Sequence, residues 1–466
     1  MDGPIDPRSS FGNSLVDTTN IRNNDNFERI QPRLARSIIV SRRPDKATAF
    51  GIAFVAALLI IDSGVPTLLI GLDSFTIGRV VSASLIAIGL FIPQLGRNKN
   101  FSIGNFVGLM PFLLILLMII VSFISNIFIF GYGVMNFGPS LYMLMPVLTF
   151  YLLRNLNISS GDVIWGFIVS AIFASVIVLI DSAVGLTSLR QMRRLSVFGA
   201  AGNMDRLVIL KDACVISLVC LIANLLARKK SLSQYALYAT LFTLIVFPVF
   251  FTFESRFAII VTLISTALFV SFGRMTVSRR VSLYTLGLVA GVPGAWLAMQ
   301  KFISPILGSD WKSYAETNNV SVRINSLNYY LEWFEHSYYF GIGHMSTSPT
   351  YKNVLSSVVD RAYNLNDLGI YASLFQFGIL GLVSTIFMTI YLVVRLFRLG
   401  YTDHFRSPEM HILGCYVIAS FIQVVPANFF TLTATCIYGS MLWYLICRAQ
   451  FEVREGQRQF AALAEE

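Results

Sequence analysis

FVGLMPFLLILLMIIVSFISNIF, residues 106–128, contains no charged side chain and reads as one uninterrupted hydrophobic span. A helix needs roughly 20 consecutive apolar residues to cross a bilayer's hydrocarbon core, since each residue advances about 1.5 Å. A helix that is apolar around its whole circumference has no water-facing side, so the segment predicts a membrane crossing. The pattern recurs along the chain. Helices are expected at 49–72, 77–95, 137–153, 163–186, 207–227, 234–253, 256–272, 281–302, 368–396, 410–425 and 429–447. Together with the opening stretch these make about twelve spans. The expected fold is therefore all-α, a polytopic integral membrane protein.

Composition agrees. Of 466 residues, 55% are hydrophobic and 13% charged, about half the charge of a soluble domain. The net charge of +10 is not that of a nucleic-acid binder, because the basic residues lie in short clusters between apolar runs instead of on a soluble basic domain. Such clusters orient helices, with arginine and lysine kept on the cytoplasmic side. Arg97 with Lys99, Arg154, Arg228 with Lys229 and Lys230, Arg274 with Arg279 and Arg280, and Arg395 with Arg398 and Arg406 fall on one side of the expected bundle. The polar segment 1–48, carrying Arg29, Arg33, Arg36, Arg42, Arg43 and Lys46, falls there too and reads as a flexible cytoplasmic tail, not a secretory signal. The expected organisation is then a tail (1–48), nine helices (49–303), a large periplasmic loop (304–366), three helices (367–447) and a cytoplasmic tail (448–466) with Arg448, Arg454 and Arg458. Both termini are expected in the cytoplasm and the chain in a bacterial inner membrane. All five cysteines sit in or beside apolar runs, with no CxxC or His/Cys spacing, so no disulfide framework, metal or cofactor is called for.

Arginines that run against this bias stand out. Arg190, Arg193, Arg194 and Arg206, then Arg256 behind Glu254-Ser255, then Arg323 and Arg361, all fall on the outer side. A guanidinium grips phosphate through two parallel hydrogen bonds; a lipid-headgroup contact is the plainer reading. Asp62, Asp181, Lys211 and Asp212 lie within expected spans, where ionisable groups are functional candidates. The sequence shows no internal repeat and no matched pair of interrupted helices, which argues against a secondary transporter.

The outer loop has its own pattern. Trp311, Tyr314, Tyr329, Tyr330, Trp333, Phe334, Tyr338, Tyr339 and Phe340 give it an ordered, aromatic character unlike a linker. Ile324, Leu327, Tyr330, Leu331 and Phe334 recur at helical spacing, predicting an amphipathic helix over 322–334 on the membrane face. Gly341-Ile342-Gly343-His344 then reads as a turn. The aromatic rings suit sugar stacking and interfacial anchoring equally.

Four segments in order resemble the O-antigen ligase and polymerase superfamily: RRLSVFGAAGNMDRLVIL from Arg193, ESRFAII from Glu254, RINSLNYYLEWFEHSYYFGIGH from Arg323, and NDLGIYASLFQFGILGL from Asn366. Together they cover roughly the last three fifths of the chain. The resemblance implies a GT-C-like membrane glycosyltransferase working on the periplasmic face. Where ligases carry a His-Asn pair ahead of the closing helix, this chain has Asp367. That departure is more like the exopolysaccharide and capsular polymerases.

The activity so implied joins oligosaccharide repeat units carried on undecaprenyl diphosphate, with a chain-length regulator protein as a further partner. The alternatives are a ligase that transfers finished glycan to a lipid or protein, and a transporter of the lipid-linked glycan. Arg256 and Arg323, with Arg194 and Arg206 as a second pair, are the candidates to hold the departing diphosphate. Asp367, then His344, are the candidates for the general base that takes the acceptor's proton. His344 suits capping of the Gly-x-Gly turn equally well.

Overall fold

A computed structural model of the chain describes residues 48–70, 75–91, 106–129, 131, 144–184, 193–194, 206–207, 210–227, 231–247, 256–272, 280–281, 283, 318–343, 368–401, 407–422 and 436–465. In chain order the elements are α1 (Ala49–Asp62), α2 (Val65–Leu69), α3 (Phe75–Phe91) and α4 (Phe106–Ile124), which continues as a π-helix over Ser125–Ile129. A 3-10 turn (Met145–Leu148) leads into α5 (Thr149–Asn155), followed by α6 (Ser160–Val184). After a two-stranded ladder of β1 (Arg193–Arg194) and β2 (Arg206–Leu207) come α7 (Lys211–Ala227), α8 (Leu232–Phe247) and α9 (Arg256–Phe272). The series closes with α10 (Asn318–His336), α11 (Ile370–Tyr401), α12 (Pro408–Ile422) and α13 (Cys436–Glu465).

The protein is helical, and three of its described helices are long and apolar enough to cross a membrane: Gly108–Ile129, Ser160–Val184 and Tyr371–Gly400. Shorter apolar helices cover Ala49–Asp62, Ile77–Phe91, Leu232–Val246 and Ala258–Phe272. Their outward faces carry large apolar side chains, among them Ile88, Phe112, Leu263, Ile379 and Val383. Water would penalise so much exposed hydrocarbon, whereas a bilayer accepts it.

Inside the bundle α7 is buried on all sides. It packs on α6, α8, α9 and α12, and Ala213, Ile216, Val219 and Ala223 have no exposed surface. With no hydrophobic drive between helices in lipid, close approach comes from small residues. Gly166 of α6 is one: a Cβ there would lie 2.4 Å from Val55 Cγ1 of α1.

The end of α6 that starts at Ser160 is a polar junction. Ser159 and Asp162 form a reciprocal cap: Ser159 N donates to Asp162 Oδ2 at 2.9 Å and Asp162 N to Ser159 Oγ at 3.1 Å. Asp162 also accepts from Thr48 N at 2.6 Å, and Thr48 caps α1 by accepting from Gly51 N. Nearby, Arg448 of α13 pairs with Glu452 at 2.8 Å and donates to Asn157 Oδ1 at 2.7 Å. Glu452 accepts from Ser160 Oγ at 2.6 Å, and Tyr444 donates to Ile158 O.

Several elements differ from expectation. The span expected at 137–153 is described only from 144, where Pro146 opens a 3-10 turn instead of a continuous α-helix. The one expected at 281–302 lies, apart from 281 and 283, outside the described residues, as does the segment before Thr48. The last helix does not stop at 447; it runs to Glu465, and Arg448, read as part of a tail, is buried.

Candidate functional site

The expected closing span is a broken helix. At Phe377 (φ −123°, ψ 15°) and Gly378 (φ 66°, ψ −167°) α11 leaves helical geometry. A break strips nearby carbonyls of their intrahelical donors, which is costly away from water. The Gly-x-Gly segment supplies substitutes: Ile342 N donates to Phe375 O and Gly343 N to Gln376 O, each at 2.8 Å. The approach is backbone to backbone. A Cβ on Gly378 would lie 2.3 Å from Phe340 O, and one on Gly341 would lie 2.6 Å from Gln376 O.

On the other side of this segment stands the π-helical end of α4. Ser125 Oγ donates to Gly341 O. Asn126 Nδ2 donates to Ser122 O at 2.6 Å. The step from i−4 to i−5 bonding deprives a carbonyl near the junction of its usual donor, and the side-chain amide serves in its place. Gly343 fits closely here as well, since a Cβ would lie 2.8 Å from Ser122 Cα. The serines and Asn126 of α4 form a polar wall that sequence reasoning missed, because they read as the tail of an apolar span. A cluster of small polar residues at its end was the available signal.

A small apolar cluster seats α10 on this junction. Tyr330 and Phe334 pack with Ile342, Leu368 and Phe375, with the Phe334 and Phe375 ring centroids 5.6 Å apart. The amphipathic helix expected over 322–334 is thus present as α10, and part of its aromatic face is covered by protein. Leu331 and Tyr338 remain exposed.

The candidate residues distribute as follows. Arg323 lies in the backbone of α10. His344 and Asp367 lie outside the described residues, but Gly343 directly precedes the first and Leu368 directly follows the second, and both neighbours belong to this junction. Arg194 and Arg206 face each other as direct partners in the antiparallel ladder. Arg256 opens α9, which packs chiefly on α7 and α12. The structure therefore brings the helix that carries Arg323 to Ile342 and Leu368, pairs Arg194 with Arg206 in the ladder, and sets Arg256 on a separate element.

Two of the sites expected within spans hold ionisable residues at defined places. Asp62 is buried and accepts from Ser82 Oγ at 2.7 Å, while Lys211 and Asp212 open α7. Among the described residues no group of His, Cys, Asp and Glu is placed to hold a metal ion. No family model matches the chain, and no curated protein is detectably similar to it.

Proposed function

We propose that this protein is a membrane glycosyltransferase that polymerises undecaprenyl-diphosphate-linked repeat units on the periplasmic face of a bacterial inner membrane, within a bundle of about twelve spans. The observation that carries the reading is the register of the short ladder, Arg194 opposite Arg206. Directly opposed residues have Cβ atoms about 5 Å apart, and like charges so placed destabilise a ladder. An anion between them reverses the sign, and a diphosphate presents oxygens to two guanidinium forks at once.

The reaction needs little more than charge, position and a base. The acceptor hydroxyl attacks the anomeric carbon, the carbon–oxygen bond to the diphosphate breaks, and the hydroxyl proton passes to Asp367 or His344. Arginine groups hold the departing negative charge. The junction of α10, the glycine segment and α11 supports this assignment by holding Gly343, which precedes His344, and Leu368, which follows Asp367.

A deletion strain tests the reading. A lost polymerase leaves single repeat units on the carrier at the outer leaflet, and a lost ligase leaves long carrier-linked chains. The break in α11 favours one other reading, a lipid-linked glycan transporter, since interrupted helices mark many transporter sites. Loss of a transporter strands single units on the inner leaflet.

A further inference from the structure

Two residues bordering the glycine segment carry side-chain acceptors that nothing among the described residues fills. Asn126 is fully buried and Gln376 is 8% exposed, yet Asn126 Oδ1 and Gln376 Oε1 have no hydrogen-bond partner among the described residues. Reversing the Asn126 amide gives no relief, because its Nδ2 is engaged by Ser122 O at 2.6 Å. Both residues border Gly343: a Cβ on that glycine would meet Asn126 Nδ2 at 3.3 Å, and its amide donates to Gln376 O at 2.8 Å. Buried acceptors left unpaired are rare and costly, more so in a medium of low dielectric. Leucine at Gln376 has similar bulk and no such cost, whereas at Asn126 it would also strip Ser122 O of its Nδ2 donor. Polar residues kept here at the expense of stability point to a ligand that completes them.

An oxygen acceptor is completed by a donor, and the tight packing around Gly343 admits only a small one. We infer that Asn126 and Gln376 form a hydroxyl-binding subsite that orients the sugar of the lipid-linked glycan against the glycine segment and the broken helix. The inference rests on the glycan reading above and adds to it the residues that recognise the sugar, as distinct from the arginines that recognise the diphosphate. Phospholipid headgroups also carry hydroxyls, so the test separates the two sources.

The full chain is reconstituted in nanodiscs of plain phospholipid and titrated with three probes, following tryptophan fluorescence. The probes are carrier-linked glycan extracted from a deletion strain, the same carrier diphosphate stripped of sugar, and the released free sugar. Gln376→Leu and Asn126→Leu each weaken the glycan-bearing lipid by about tenfold, the worth of one hydrogen bond in a dry site, and leave the stripped lipid unchanged. Free sugar competes with the glycan-bearing lipid on the wild type and loses that competition in the variants. Asn126→Ser keeps most of the affinity, because a serine hydroxyl can donate to Ser122 O while its oxygen still accepts. Gln376→Leu melts at the wild-type temperature or above it.

Equal weakening toward both lipids overturns the inference, as does unchanged affinity for the glycan-bearing lipid or a lowered melting temperature in Gln376→Leu. If the wild type binds both lipids equally, phospholipid or no ligand fills the acceptors; the inference fails and the polymerase reading stands. If the wild type binds neither lipid, both fail.

Discussion

Gly378 is the residue on which the junction turns. Its φ of 66° and ψ of −167° belong to a region open in practice to glycine alone, and Phe340 O lies where a side chain would begin. Gly378→Ala is expected to cost about 3 kcal/mol or more, adding backbone strain to a steric clash. Gly131 is the control: its φ is also positive, at 68°, but among the described residues nothing lies within 4 Å of a Cβ there. Gly131→Ala then costs about 1 kcal/mol, from conformation alone. Thermal melts of the two variants in the same detergent check the difference, and equal melting temperatures would remove the backbone contact from the account. Arg194 and Arg206 make the corresponding prediction for chemistry. Either arginine changed to alanine lowers polymer formation by about 10²–10³-fold, the usual loss when a fixed donor to developing charge is removed. Arg194→Lys restores only part, because an ammonium keeps the charge without the fork. Gel profiles of carrier-linked glycan at matched membrane levels give the answer, and normal polymer in both alanine variants would take the ladder out of the site.

At the scale of elements, the buried part of α13 is held by a clamp of four residues, Arg448, Glu452, Asn157 and Ser160. Arg448→Ala leaves the Glu452 carboxylate buried without its cation and is expected to destabilise by about 3–5 kcal/mol. Arg448→Met combined with Glu452→Leu recovers most of that loss, since removing both charges also removes their desolvation cost. Melting temperatures of the single and double variants decide it; a double variant as poor as the single one would show the clamp to be more than electrostatic. None of this was legible in the sequence, where Arg448 read as the start of a tail. Its partner Asn157 is 291 positions away, and no local pattern reports such a pairing. The helix α10 was legible because its apolar spacing is local. The break in α11 was not: a glycine inside an apolar run is compatible with a continuous helix, and the approach of Phe340 O and the positive φ that set Gly378 apart from Gly381 are visible only in the structure.

For the whole molecule, α4 links two distinct polar regions. Tyr151 donates to Gly108 O near one end, on the side of the Asp162 and Glu452 junction, and Ser125 reaches Gly341 at the other. Seventeen helical steps from Gly108 to Ser125 separate these points by roughly 25 Å. The reading places the glycine junction outside and the capped ends inside. A membrane-impermeant maleimide should therefore label Tyr338→Cys and spare Arg454→Cys in intact cells. Both positions are exposed, and the natural cysteines, four buried and Cys447 half-buried, give little background. The reverse pattern would invert the topology. Composition alone made the membrane class legible, since hydrocarbon content is a property of the chain and needs no partner. The site was legible in its outline only: the glycine motif and the arginines were visible, whereas Asn126 and Gln376 acquire meaning from what fails to contact them. The double cap at Asp162 has a consequence in time. Thr48 precedes its carboxylate partner by 114 positions, which a ribosome adding about 5–20 residues per second needs roughly 6–23 s to complete. The Thr48 amide therefore lacks its carboxylate partner until α6 has been made, and a nascent chain arrested before Asp162 would hold α1 less firmly than one arrested after it.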